Sequence, residues 1–320
     1  MAQVRIEAFI KDIQENLYRG SEFLKYSVSH DQYVEDYAVH VPQAGSGVTV
    51  VKNRTQLPAA VSERVDDQLT YYLDEYTTDP ILIRNIEKIQ LSYDKRMSVM
   101  KNKIQLINQQ LGDDGAYNWI LGLGAAPTVG ATSGVFLTTG AAESYSLFPS
   151  LTAATGTRKA FTLGDILQLK GKLDRDNVSQ EGRYLLVPSD MWYDLTTNNV
   201  SVLGSRLYLP DDTLVKDGAV AKIYGFNIFQ RPQVAIYNDA TYGSPTLKAV
   251  GAAAATTDSL AAFAWQEDCV AKAQGAVKFF AREDDPAFYG SYYSALVMFK
   301  NVNLRSDAKG IAALVQYYAA

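Results

Sequence analysis

Between Asp79-Pro80 and Gly112 the apolar residues Ile86, Ile89, Tyr93, Met97, Met100, Ile104, Ile107 and Leu111 recur in steps of three or four. That period marks one face of a helix. The stripe predicts a helix over residues 84–111, ended by Gly112. At 1.5 Å per residue, a run of about 26 residues is roughly 39 Å long. A rod of that length is unusual in a globular domain. A coiled-coil seam is the competing reading, supported by one short heptad run that includes a tyrosine and two methionines.

Upstream, Ile6, Phe9, Ile10, Ile13 and Leu17 fall at helical spacing among Arg5, Glu7, Lys11, Asp12 and Glu15, and Gly20 closes the segment. This predicts an amphipathic N-terminal helix. Burying five such side chains at about 1.5–3 kcal/mol each gives on the order of 10 kcal/mol before ordering costs. The gain is the same whether the face grips a neighbouring molecule or docks on its own domain. From Tyr33 to Arg54, β-prone residues flank Pro42-Gln43-Ala44-Gly45-Ser46-Gly47, which predicts a hairpin of residues 34–41 with 48–54. A second extended run, 68–83, follows a polar stretch. An isolated ribbon is marginally stable in water and needs a surface to lie on.

Residues 112–157 are rich in Gly, Ala, Ser and Thr and mark a boundary between two parts. In the second part, Thr162 with Asp165 has the form of a capping box. It opens a helix whose apolar face is Ile166, Leu167, Leu169 and Leu173. Residues 183–188 predict a strand, and a short helix with Met191, Trp192 and Leu195 follows Ser189. Further strands are predicted at 224–230, 234–237, 261–265, 276–282 and 292–304, with a closing strand or short helix at 309–316. The expected class is α+β.

The chain has 320 residues, enough for two cores,. A net charge of −5 with mixed signs argues against a domain that reads nucleic acid through clustered Lys and Arg,. A single cysteine, Cys269, excludes an internal disulfide, and two histidines, His30 and His40, leave little for a metal centre,. No apolar run approaches the length of a membrane span, and the N-terminus lacks the apolar core of a signal peptide, so synthesis in a reducing cytoplasm is expected. Gly171-Lys172 fails the phosphate-loop spacing, and Gly122 and Gly124 are followed by Pro127 where a dinucleotide fingerprint needs its third glycine,. Neither histidine has a spaced nucleophile. The acidic pairs Asp113-Asp114, Asp211-Asp212 and Glu283-Asp284-Asp285 have no calcium-loop spacing. The sequence therefore points to no catalytic residue, no cofactor and no metal. An α/β hydrolase would need a converging acid, base or nucleophile that the sequence does not offer.

The 21 tyrosines crowd near Tyr71, Tyr72 and Tyr76 and again at Tyr289, Tyr292 and Tyr293. Tyrosine suits half-buried surfaces, so interfaces and wide β-sheets explain the excess equally.

The order of arm, hairpin, long helix, glycine-rich connection, α/β part and returning strands resembles the HK97-type fold of tailed-bacteriophage major capsid proteins. The phrases Arg158-Lys159-Ala160-Phe161-Thr162 and Glu181-Gly182-Arg183-Tyr184-Leu185-Leu186-Val187-Pro188-Ser189-Asp190-Met191-Trp192 are similar to capsid proteins of crAss-like and related phages. So is the closing stretch from Asn303-Leu304-Arg305 to Lys309-Gly310-Ile311. The resemblance implies an N-terminal arm at 1–32 and an extended loop at 33–78. It implies a peripheral domain at 79–159 with the 84–111 helix as its spine, an axial domain at 160–260, and strands at 261–320 returning to the peripheral domain. It also implies that hexamers and pentamers of the chain form an icosahedral shell around double-stranded DNA held without sequence-specific contacts. Portal, scaffold and decoration proteins would be further partners. Contacts between copies are then expected at Ile6, Phe9, Ile10, Ile13 and Leu17 of the arm, and at Tyr37, Val39, Val41, Val51, Lys52 and Arg54 of the loop. Lys52 on such a loop is either a solvated cation or a cross-linking amine. A cellular nanocompartment shell of the same fold is the nearest alternative.

Overall fold

The computed structural model describes residues 21–43, 52–55, 67–84, 95–126, 128–130, 132–144, 151, 153–198, 219–240 and 243–319. The long apolar stripe is helical, and the helix does not stop at Gly112. Helix α1 (Lys95–Leu121) runs 27 residues and carries the stripe on through Ala116, Trp119 and Ile120, all fully buried. Residues 85–94 of the predicted helix lie outside the described residues. The glycines that looked like a stop signal are points of close approach. A Cβ on Gly112 would collide with Ser21 Oγ and come within 2.6 Å of Arg231 Nη2, and one on Gly115 would collide with Asn301 Nδ2 and come within 2.9 Å of Leu24 Cδ2. Tertiary packing, and not helix termination, selects glycine there.

Ahead of α1, Phe23 and Leu24 are buried in a 3-10 turn at Glu22–Lys25, followed by β1 (Val28–Ser29). Strands β2 (Val34–Glu35), β3 (Ala38–Gln43) and β4 (Asp67–Tyr72) form an antiparallel three-stranded sheet. Among the described residues β3 pairs with 67–72, where the sequence reading expected 48–54. Residues 48–51 lie outside the described residues, and Lys52-Asn53 is a turn with Asn53 at φ +53°. The observed register sets Val39 opposite Tyr71 and Val41 opposite Leu69. Period-two alternation then gives this sheet one apolar face, which covers Leu73, Ala273 and Met298. Strands β5 (Asp74–Thr77) and β6 (Ile81–Arg84) pair with β17, so the three-stranded sheet gives way to the five-stranded one at Leu73.

After α1 come β7 (Val135–Leu137), β8 (Ala142–Ser144), β9 (Thr157–Lys159) and helix α2 (Leu163–Arg175). The Thr162–Asp165 capping box is present in both directions. Leu167 is 47% exposed and not part of the apolar face of α2, because it stands about 100° around the helix from Ile166,. Strand β10 (Arg183–Pro188) leads into helix α3 (Ser189–Asn198). Then follow β11 (Ala219–Ile223), β12 (Phe226–Arg231), β13 (Ala235–Asn238), β14 (Thr246–Leu247) and β15 (Asp258–Gln266). The chain ends in β16 (Val270–Asp285), β17 (Gly290–Asn303), β18 (Ile311–Val315) and β19 (Tyr318–Ala319).

Two main sheets result. One has five strands, β1-β16-β17-β5 with β6 also on β17; the other has eight, β11-β12-β10-β15-β13-β14 with β18 on β15 and β7 on β18. Strands β16 and β17 lie in the five-stranded sheet beside α1, whereas β15 and β18 belong to the eight-stranded sheet. All nine residues of β15 are buried, so it needs cover on both faces and a partner on both edges,. Leu185 and Val187 of β10 face α2 and α3, packing with Ile166, Leu169, Leu173, Met191 and Leu195. Tyr184 and Leu186 face the other way, into a core shared by α1, Phe23 and Leu24, and residues of β16 and β17. Helix α1 is therefore the common support of both sheets.

Candidate functional site

The two histidines and the cysteine are each held in local contacts. His30 is buried, and its Nδ1 lies 2.9 Å from the hydroxyl of Tyr71, with burial lowering the imidazole pKa. His40 pairs with Thr70 across the hairpin, Nδ1 to Oγ1 at 3.2 Å. Cys269 is buried beside Gly310, and burial pushes its thiol up to about 11, well away from the thiolate state a nucleophile requires,. Among the described residues, no group of three His, Cys, Asp or Glu side chains is placed to hold a metal ion, and no helix is long and apolar enough to cross a membrane.

The outer face of the three-stranded sheet offers a surface instead. The sheet's inner face is anchored: Val39 is fully buried, and Val41, partly buried, packs beside it. Its outer face carries Tyr37 and Tyr72. They are 58% and 60% exposed and stack on each other at 5.5 Å with their planes 26° apart. Lys52 and Arg54 are exposed. Ile6, Phe9, Ile10, Ile13, Leu17 and Val51 lie outside the described residues. The sequence reading missed Tyr72. Its signal was the Tyr71-Tyr72 doublet, since in a strand one of two neighbours must point outward.

A second exposed aromatic set lies on the long β16–β17 hairpin. Phe288 and Tyr289 at the tip are 53% and 77% exposed, and Phe288 meets Tyr292 edge-on at 5.1 Å. Phe280 on β16 is 51% exposed. The other tyrosines of these clusters face inward. Burial raises the phenol pKa of Tyr71, and that of Tyr76 is raised by burial and further by Asp114. Tyr293 is buried and stacks on Phe279 at 6.0 Å. The tyrosine excess thus serves both the sheets and the surface. A large rigid ring with a polar tip is the residue type that interfaces favour.

No family model matches the sequence, and no curated protein matches it. The fold does match solved structures. The capsid of Ralstonia phage GP4 aligns with a TM-score of 0.61 at 9% identity, over 92% of this chain and 88% of that one. The cyanophage Pam1 capsid asymmetric unit aligns with a TM-score of 0.59 at 12% identity, over 94% of this chain and 93% of that one. The capsid structure of cyanophage P-SCSP1u aligns with a TM-score of 0.57 at 15% identity, over 92% and 86%. The architecture is therefore the HK97-like fold of phage capsid chains, as the order of elements in the sequence suggests.

Proposed function

We propose that this chain is a major capsid protein of a tailed phage, and that it works by packing against copies of itself into hexamers and pentamers of a closed shell around double-stranded DNA. One observation carries the reading. The match to capsid chains extends over more than nine-tenths of this chain and from 86% to 93% of theirs, so the likeness covers a whole subunit and not one shared module. In this reading 1–32 is the arm, and the three-stranded hairpin sheet the extended loop. The α1 sheet forms the peripheral domain and the eight-stranded sheet the axial domain.

The mechanism is cooperative contact. An isolated exposed pair such as Tyr37–Tyr72 contributes little, but a subunit held through its loop, its arm and the β16–β17 hairpin leaves only when all of these contacts break together. One sequence must also accept both five-fold and six-fold surroundings, which suits contacts carried on projecting segments. A net charge of −5 is consistent with a shell that holds DNA without reading its sequence,. Portal, scaffold and decoration proteins would be the further partners.

The test is the mass of the purified full chain by light scattering over a concentration series, with nuclease protection of any enclosed DNA. Pentamers, hexamers or larger shells are expected. Shells filled with a protein cargo instead of nucleic acid would favour a nanocompartment.

A further inference from the structure

Helix α2 is apolar on two sides. On its inward side Ile166, Leu169 and Leu173 are buried against the eight-stranded sheet. At about 100° per residue, Gly164, Gln168, Gly171 and Arg175 fall within about 60° of one another on the opposite side, with Leu167 next to them. Together with Phe136 of β7 these residues line an open hollow of about 320 Å³. Leu167 stands exposed at its rim.

The two glycines have no reason inside the described chain. A Cβ on Gly171 would meet nothing within 4 Å, and one on Gly164 would meet Thr162 Oγ1 at 3.5 Å. Neither has a positive φ. Glycine weakens a helix interior relative to alanine, so its place there calls for a close approach. On α1, Gly112 and Gly115 have theirs, from Ser21, Arg231, Asn301 and Leu24. No described residue fills the matching space on α2.

The stripe Ile6, Phe9, Ile10, Ile13 and Leu17 matches that space in length and charge. The stripe spans 6–17 and the lining 164–175, each about 16 Å of helix. The lining carries one charge, Arg175, and a carboxylate borders each end of the stripe, Glu7 and Glu15. Where the stripe joins the described chain decides which copy supplies it. Ser21 donates to the carbonyl of Asn108 on α1, and α1 packs on the side of the eight-stranded sheet away from α2. Packed layers lie about 10 Å apart and a helix is about 5 Å in radius, so the outward side of α2 stands about 15 Å beyond the sheet. From Ser21 back to Leu17 the chain spans at most about 14 Å. The stripe falls short of its own hollow.

We propose that the hollow on the outward side of α2 receives residues 5–17 of a second copy. The apolar stripe lies over Gly164 and Gly171 beside Leu167, and a carboxylate of the segment meets Arg175. This rests on the self-assembly reading and adds to it a receiving surface.

Photo-cross-linking of the full chain tests it. The single native cysteine, Cys269, is buried, so Lys170→Cys places one open thiol beside the hollow for a maleimide-linked benzophenone. In a mixture of isotope-heavy and isotope-light chains, illumination should join position 170 of one chain to residues 5–17 of another, read as heavy–light peptide pairs. Gly171→Leu, which fills the hollow, should keep native circular dichroism and weaken association about tenfold. Links confined to one chain or to other segments, or unchanged association in Gly171→Leu, overturn the proposal, and self-assembly stands if light scattering still shows an assembly. A chain that stays monomeric overturns both.

Discussion

Arg231, on β12, reaches across to Asp113 on α1 with Nη2 and Oδ1 2.9 Å apart, and the same nitrogen donates to the carbonyl of Gln109 at 3.0 Å. This pair ties the eight-stranded sheet to the long helix. The guanidinium also lies 5.8 Å from the ring of Phe23, so the entering chain is held at the same point. Burial lowers the pKa of Arg231 and raises that of Asp113, each opposed by the other's charge. Removing the carboxylate leaves a buried cation without its counter-charge. Asp113→Ala is expected to cost about 2–3 kcal/mol, below the range for a fully buried pair because Asp113 is partly exposed. Urea unfolding at neutral pH measures it; a loss below about 0.5 kcal/mol, the scale of an exposed ion pair, would show that the pair is ornamental.

The glycines of α1 and α2 should respond to alanine with opposite signs. A Cβ on Gly171 meets nothing within 4 Å, so Gly171→Ala should stabilise by roughly 0.5–1 kcal/mol through helix propensity. At Gly112 the same change forces Ser21 and Arg231 aside, and the expected net result is a loss of about 1 kcal/mol or more. Denaturant midpoints of the two variants decide this. A gain at Gly112 would mean that the helix does not press on the entering chain.

Lys272 on β16 is buried, and that burial lowers its pKa to about 8 against the favourable field of Asp31. The unfolded chain binds this proton up to a higher pH than the native state does. Stability therefore rises with pH from about 8 toward the ordinary lysine value, by on the order of 2 kcal/mol. Lys272→Met should lack this rise. The difference in unfolding free energy between native chain and variant at pH 8 and pH 10 is the measurement, and a difference that does not change with pH contradicts the assignment.

The outward stack of Tyr37 and Tyr72 separates folding from assembly. Such a pair contributes about 0.5–1.5 kcal/mol to the subunit beyond burial, so Tyr37→Ala with Tyr72→Ala should leave a folded chain with nearly native circular dichroism. Association, followed by sedimentation, should be weakened at least tenfold. Unaltered association would place the working contacts elsewhere.

How much of this was legible in the sequence follows the range of the interactions. The start of α2 was legible because Thr162 and Asp165 satisfy each other locally, with Thr162 N to Asp165 Oδ2 at 2.9 Å. So was β10, whose unbroken apolar run reflects burial on both faces. The partner of β3 was not legible, since 67–72 is remote in sequence and a strand carries no mark of its mate. Gly112 read as a stop signal because its reason, the nearness of Ser21 and Arg231, exists only in the folded chain. Leu167 could have been assigned correctly from helical period alone. Of the candidate contacts, exposure was legible at Lys52 and Arg54 on a loop, whereas the inward turn of Val39 depended on its register with Tyr71.

The central claim is self-assembly, and electron microscopy of the purified full chain tests it most directly. Closed shells, or rings of five and six subunits, are the expected images. A chain that remains monomeric at high concentration, in the absence of any other phage protein and again with a scaffold supplied, would contradict it.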